Sequence, residues 1–240
     1  MNRFFAEWKD GKPFLSDASF RHLRYVLRAR IGEKIEVVIN GKLYRGSIRS
    51  LDPFEVDLLG EVDENRETLI DICLGFSLLK GGHDELVIQK GTELGVKEFF
   101  PFYSERTIVL LKDEKEKQKR LERFNKIAFG ACEQSKRINM VSVHPIVSFA
   151  SLFDVPADHR YIAYEGEAGS SDSLWKELPT FKKGESIFIL VGPEGGFSEK
   201  EVKEAINSGF KPISLGRRIL RAETASIMVS GLLSAYGDEL

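Results

Sequence analysis

The chain has 240 residues, 42% of them hydrophobic and 30% charged, with a net charge of −2. That is the composition of a globular protein with one large or two modest domains, and the molecule as a whole is not basic. No apolar run approaches the roughly 18 residues of a membrane helix, and the opening MNRFFAEWKDG has no apolar stretch or small-residue cleavage site, so neither a membrane protein nor a signal peptide is expected.

Charge is unevenly spread. Residues 1–50 hold eleven Lys/Arg against five Asp/Glu, so this segment carries +6 and the remainder −8. A basic segment on a near-neutral protein points to a polyanionic partner that meets one end of the molecule.

Residues 1–68 read as a small β-barrel with one helix. Helical spacing in DASFRHLRYVLR (17–28) puts Phe20, Leu23, Val26 and Leu27 on one face. Two apolar runs around Asn40-Gly41 (34–48) predict a hairpin with a type I′ turn. FEVDLLGEV (54–62) alternates as a strand after Pro53, and DENRET (63–68) is a polar linker.

From residue 69 the pattern changes to strands alternating with helices, the signature of an α/β domain with a mainly parallel sheet over 69–240. LIDICLGFSLL (69–79) is a continuous apolar run, as expected of a strand buried on both faces. A helix is predicted over 84–94, ending at Gly95, then a strand at EFFPFYS and a long helix over 113–137. Further strands are expected at 161–166 and 186–192, and helices at 198–207 and 222–236.

Two cysteines, Cys73 and Cys132, lie far apart, and His22, His83, His144 and His159 are scattered. That is no metal-ligand pattern; it reads as buried thiols in a reducing cytoplasm, with no metal.

Four motifs carry chemistry. The first is LVGPEGGFSEKEV (190–202), a glycine-rich turn between a strand and a helix. Its Ser198-Glu199-Lys200-Glu201 is a capping box. Its glycines fit neither GxGxxG nor GxxxxGK[ST], and Glu194 would repel phosphate. The loop is either a plain tight turn or a cradle for a phosphate-free ligand. The second is SLGRRILRAETAS (214–226), where Arg217, Arg218 and Arg221 crowd a helix entry. Cations there oppose the helix dipole, so they are either a solvated face or a site for an approaching anion. The third is FRHLRYVLRAR (20–30), basic residues interleaved with apolar ones, suited to phosphate contact or to plain solvation. In the fourth, Lys80, Lys90 and Glu93 on one helical stretch and Glu133, Gln134 and Arg137 on another read as surface ion pairs or as site residues.

KGTELGV (90–96), ACEQSKR (131–137), GPEGGFSEKE (192–201) and LGRRILRAETA (215–225), with RFF (3–5) and HLRYVLR (22–28), occur in an order and spacing that resembles the bacterial ribosomal RNA small subunit methyltransferase E family. The resemblance covers essentially the whole chain. Cys132 stands where the family often has alanine, a small swap.

The resemblance implies a SPOUT-type α/β domain with a parallel sheet and a deep C-terminal trefoil knot, preceded by a PUA-like β-barrel. It implies S-adenosylmethionine as cofactor, 16S rRNA of the small ribosomal subunit as partner, a homodimer, and methylation at N3 of a uridine in the cytoplasm. On matching motifs, Leu190, Gly192, Gly195, Gly196, Leu215, Gly216, Ile219, Leu220, Thr224 and Ala225 would hold the cofactor. Glu194 would be a general base, or Arg221 a stabiliser of the uridine anion. Arg3, Arg21, Arg24, Arg28, Gln134 and Arg137 would contact RNA. Two other classes compete: a non-catalytic RNA binder, and a nucleotide-dependent reductase, which the missing GxGxxG and Walker patterns disfavour.

Overall fold

A computed structural model describes residues 1–167 and 172–240. The chain divides into two compact units, Met1–Glu67 with Cys132–Asn139, and Thr68–Ala131 with Met140–Leu240.

The first unit is a five-stranded sheet. β1 (Arg3–Lys9) and β2 (Lys12–Leu15) form a hairpin not foreseen from the sequence, although Asp10-Gly11 is a turn dipeptide and both residues take positive φ. β3 (Lys34–Ile39) pairs parallel to β1 and antiparallel to β4 (Lys42–Leu51), which pairs with β5 (Phe54–Val62). Asn40 and Gly41 both have positive φ, as the predicted type I′ turn requires. Register shifts between β4 and β5 bend the sheet, and β2 returns close to β5, so the sheet curls around Phe4, Leu23, Ile35, Val37 and Ile48.

Helix α1 (Asp17–Arg21) begins where Ser16 accepts the Ser19 N–H at 3.2 Å. It does not continue to residue 28. A π turn spans His22–Val26, and only Leu23 of the predicted face is buried outright; Val26 and Leu27 are exposed. The i→i+5 bond from the Leu27 N–H to the His22 carbonyl closes the π turn, and Tyr25, Val26 and Leu27 face outward before Ala29 returns to the core.

Buried charge ties the separate piece, Cys132–Asn139, into this unit. Arg3 is buried; its Nε and Nη2 each lie 2.9 Å from a carboxylate, Glu36 and Glu64, and its Nη1 donates to the Lys136 carbonyl. Arg137 is also buried, 2.6 Å from Glu67, whose other oxygen accepts the N–H groups of Ile138 and Asn139. Every charged group in this set has a partner, which a buried ion pair needs to be tolerated.

The second unit has a parallel sheet in the order β12-β10-β11-β6-β7-β8, from β6 (Asp71–Ser77), β7 (Glu98–Tyr103), β8 (Ser142–Val143), β10 (His159–Ala163), β11 (Ser186–Val191) and β12 (Lys211–Ile213), with β9 (Val147–Ser148) also paired to β7. Its central strands are apolar because both faces are covered; Ile72–Phe76 and Ile187–Val191 are buried without a break. Helices α2 (His83–Glu93), α3 (Glu114–Ser135), the one-turn α4 (Leu174–Glu177), α5 (Glu199–Asn207) and α6 (Ala222–Gly237) complete it, the last turn of α3 clustering with the first unit. The capping box at α5 is formed as predicted, and Glu201 also accepts the Glu105 N–H at 2.8 Å. β12 lies at one edge of the sheet, yet the next element, α6, packs on α2, β6 and β11. Among the described residues no helix is long and apolar enough to cross a membrane.

Candidate functional site

In parallel sheets, ligands bind beyond the carboxyl ends of the strands, where the chain leaves in different directions. Here that region holds a cavity of about 620 Å³ within the second unit. Its walls come from the strand ends and the segments just past them: Lys80 and His83 after β6, Tyr164 and Glu165 after β10, Val191 at the end of β11 and residues 192–197 after it, and residues 215, 216, 218–223 and 225 after β12. The two loops that the sequence singled out, 192–196 and 215–221, therefore meet on one cavity although about twenty residues separate them.

The glycine loop is shaped by close approaches. Gly196 has φ 66°, and a Cβ there would collide with the Glu165 carboxylate. A Cβ on Gly195 would stand 3.1 Å from Cβ of Arg106, whose Nη1 donates to the Gly195 carbonyl at 2.9 Å. Glu194 is exposed and oriented by the Lys80 N–H, 3.1 Å from its Oε1. Opposite, α6 opens at Arg221, which has extended backbone and gives the helix no side-chain cap. Glu223 sits in the first turn, where the dipole favours a carboxylate. Its Oε1 is 3.4 Å from Nδ1 of His83, and its buried Oε2 has no hydrogen-bond partner among the described residues.

Among the described residues the cavity thus carries three carboxylates (Glu165, Glu194, Glu223) and three basic side chains (Lys80, Arg218, Arg221) besides His83. Carboxylates beside the glycine loop disfavour a pyrophosphate and suit a cationic ligand. The arginines suit an anion or a group that becomes one. Ile219 is 80% exposed on the same loop, an apolar surface that a ligand in the cavity would cover.

Of the residues predicted to form this site, Glu194, Arg221, Gly192, Gly195, Gly196, Leu215, Gly216, Ile219, Leu220 and Ala225 all line the cavity. Two do not. Leu190 is fully buried in the core with Phe188 and Phe197, because it still belongs to β11, on the strand face that packs into this cluster, and is not part of the loop. Thr224 is exposed and lies off the cavity; the helical rotation of α6 turns Ala222, Glu223 and Ala225 inward instead. His83, Glu165 and Glu223 were missed as site residues, and Lys80, read from the sequence either as part of a surface ion pair or as a site residue, lines the cavity. Position was the signal for His83, just past the predicted strand 69–79; Glu165 falls inside the predicted strand 161–166, which in the structure ends at Ala163.

Among the residues predicted to contact RNA, Arg21, Arg28 and Gln134 are exposed and Arg24 is half-buried, all in the first unit. Arg3 and Arg137 must be corrected. Both guanidinium groups are buried and held by carboxylates, so neither is free to meet a phosphate. A charge count along a sequence does not separate such arginines from solvated ones.

Comparison with known proteins agrees with this geometry. Residues 65–234 match the family model for the RNA methyltransferase domain. The chain is 40% identical over 185 residues to the ribosomal RNA small subunit methyltransferase E of Bacillus subtilis, covering 74% of this chain and 70% of that one. It is similar in structure to the Neisseria gonorrhoeae ribosomal RNA small subunit methyltransferase E bound to S-adenosyl methionine (TM-score 0.83, 31% identity, 98% of this chain and 97% of that one). It is also similar to a Legionella pneumophila protein described as a methyltransferase and solved with the bound cofactor SAM (TM-score 0.87, 28% identity, 98% and 97%).

Proposed function

The chain belongs to the ribosomal RNA small subunit methyltransferase E family, and from that premise we propose that it methylates 16S rRNA of the small ribosomal subunit, at N3 of a uridine, with S-adenosylmethionine as donor. The observation that carries this reading is the convergence of loops 192–196 and 215–221 on one cavity. The residues there fit the donor: a glycine cradle that a Cβ would fill, carboxylates beside the glycine loop, and an acceptor on Glu223 without a partner among the described residues. When bound, S-adenosylmethionine supplies an electrophilic methyl group on a sulfonium centre.

The chain's own residues prepare the nucleophile. Uridine N3 is a weak acid and attacks as the anion. Arg221, at the uncapped start of α6, stabilises the negative charge that develops on the uracil oxygens. Glu194, held in place by the Lys80 N–H, accepts the N3 proton. Lys80 and Arg218 add positive potential at the same cavity.

The remaining parts of the reading are a 1–68 RNA-binding domain of PUA-like barrel type and a 69–240 SPOUT methyltransferase domain. The return from β12 at the sheet edge to α6 on α2 and β6 is the path we assign to a trefoil knot. The enzyme works in the cytoplasm as a homodimer, and Arg21, Arg24, Arg28 and Gln134 contact the RNA. The test is mass spectrometry of 16S rRNA after under-methylated small subunits are incubated with the protein and labelled S-adenosylmethionine. Label on N3 of one uridine is expected. Absence of label on small-subunit rRNA, with intact calorimetric binding of the donor, overturns the substrate assignment.

A further inference from the structure

The π turn after α1 swings Val26 off the Leu23 face and into water beside Tyr25, which helical spacing already places off that face. Leu23 stays fully buried, while Tyr25 is 67% and Val26 69% exposed. Arg28 then takes φ 53°, a left-handed conformation that side chains rarely adopt, and Ile31 is 67% exposed beyond it. Residues 18–32 contain four arginines and no carboxylate, and two acids outside that stretch touch it: Asp52, itself exposed, lies 3.9 Å from Arg24 Nη1, and Glu33 accepts the Arg30 N–H at 3.0 Å. The carbon of the Arg24 guanidinium stands 5.7 Å from the centre of the Tyr25 ring and 5.9 Å from that of Phe20, and its Nη1 donates to the Leu51 carbonyl at 3.0 Å. One arginine is thus built in beside the tyrosine, while Arg21, Arg28 and Arg30 are exposed. π turns and left-handed non-glycine residues concentrate at functional sites. Here they hold an aromatic ring in water within a basic rim.

We propose that this tip is a stacking site for an unpaired RNA nucleotide, with the base on the Tyr25 ring and the flanking phosphates on the arginines around it. The proposal rests on the reading of the chain as an rRNA-modifying enzyme and names the form of RNA that its first unit takes. A base presents its face only when it is out of the helical stack. An A-form duplex offers phosphates, which would engage the arginines and leave Tyr25 uncovered. An anionic membrane would also attract the basic rim, but interfacial helices present a long apolar stripe, and here the apolar surface is a single turn and one neighbour.

The test uses the full-length protein, with anisotropy titrations of a labelled twelve-nucleotide oligouridine and of its duplex with oligoadenine, and sedimentation with vesicles of phosphatidylcholine and phosphatidylserine. The single strand is expected to bind at least tenfold more tightly than the duplex. Tyr25→Ala is expected to lose about tenfold on the single strand, within the range of one lost base stack, with duplex affinity and salt dependence unchanged. Tyr25→Trp is expected to restore binding, which a merely structural role for the ring would not require. Wild-type single-strand affinity in Tyr25→Ala, preference for duplex, or binding to vesicles without binding to RNA overturns the proposal. Methyl transfer is scored on the same samples. A Tyr25 effect without transfer removes the proposed activity and leaves the stacking site; transfer with an indifferent Tyr25 does the reverse.

Discussion

The Glu165 carboxylate occupies the space that a Cβ on Gly196 would need. The two residues come from different strand ends, and their approach sets one wall of the cavity. Gly196→Ala has to displace Glu165 and adopt φ 66° with a side chain, at a cost of about 1 kcal/mol or more to the fold. We expect S-adenosylmethionine affinity to fall at least tenfold by calorimetry while the far-ultraviolet circular dichroism is retained. Unchanged affinity would separate this wall from donor binding.

Arg221 tests the activation of the nucleophile. If it stabilises charge that forms only in the transition state, Arg221→Ala lowers turnover roughly a hundredfold and leaves donor affinity within a few-fold. Arg221→Lys, which keeps the charge, should recover part of the rate. A loss confined to KM for RNA would reassign Arg221 to substrate binding.

Arginines of the first unit divide into two kinds. Arg3→Ala leaves Glu36 and Glu64 without their buried partner and should cost about 3–5 kcal/mol of stability in denaturant titrations. Arg21→Ala, Arg24→Ala and Arg28→Ala together should cost less, about 1–2 kcal/mol from the lost Arg24–Leu51 hydrogen bond, and flatten the salt dependence of RNA binding by about two to three units of slope. A triple variant with the wild-type slope would refute this basic face as the RNA contact.

Glu133, in the last turn of α3, makes stability pH-dependent. Burial pushes its carboxyl up to about 7, against hydrogen bonds from Ser19 and the Phe5 N–H that pull it down. The folded state therefore keeps a proton that the unfolded chain, with an ordinary value near 4.5, has already released. Stability from this group falls as pH rises from about 4.5 to 7, and the loss is complete above that. Glu133→Gln should accordingly stabilise the protein by about 1–2 kcal/mol at pH 8 and by almost nothing at pH 4.5. Equal effects at the two pH values would show that the carboxyl is not buried as described.

Much of the molecule was legible in one dimension because the signals are local. The apolar runs of β6 and β11, the Asn40-Gly41 turn and the Ser198–Glu201 capping box each arise from a few adjacent residues, and each is in place. The motif glycines and Arg221 stand in local motifs too, and they line the cavity. Every property that depends on a distant neighbour needed the tertiary structure. Arg3 and Arg28 are alike as letters, yet one is enclosed by Glu36 and Glu64 and the other stands in water. Leu190 and Leu220 belong to adjacent motifs, yet one fills the sheet core and the other lines the cavity. Periodicity predicted that Val26 would be buried, and a π turn carries it outward. Backbone propensity is written residue by residue, whereas burial and charge pairing are decided by which strand ends and helix starts the sheet order brings together.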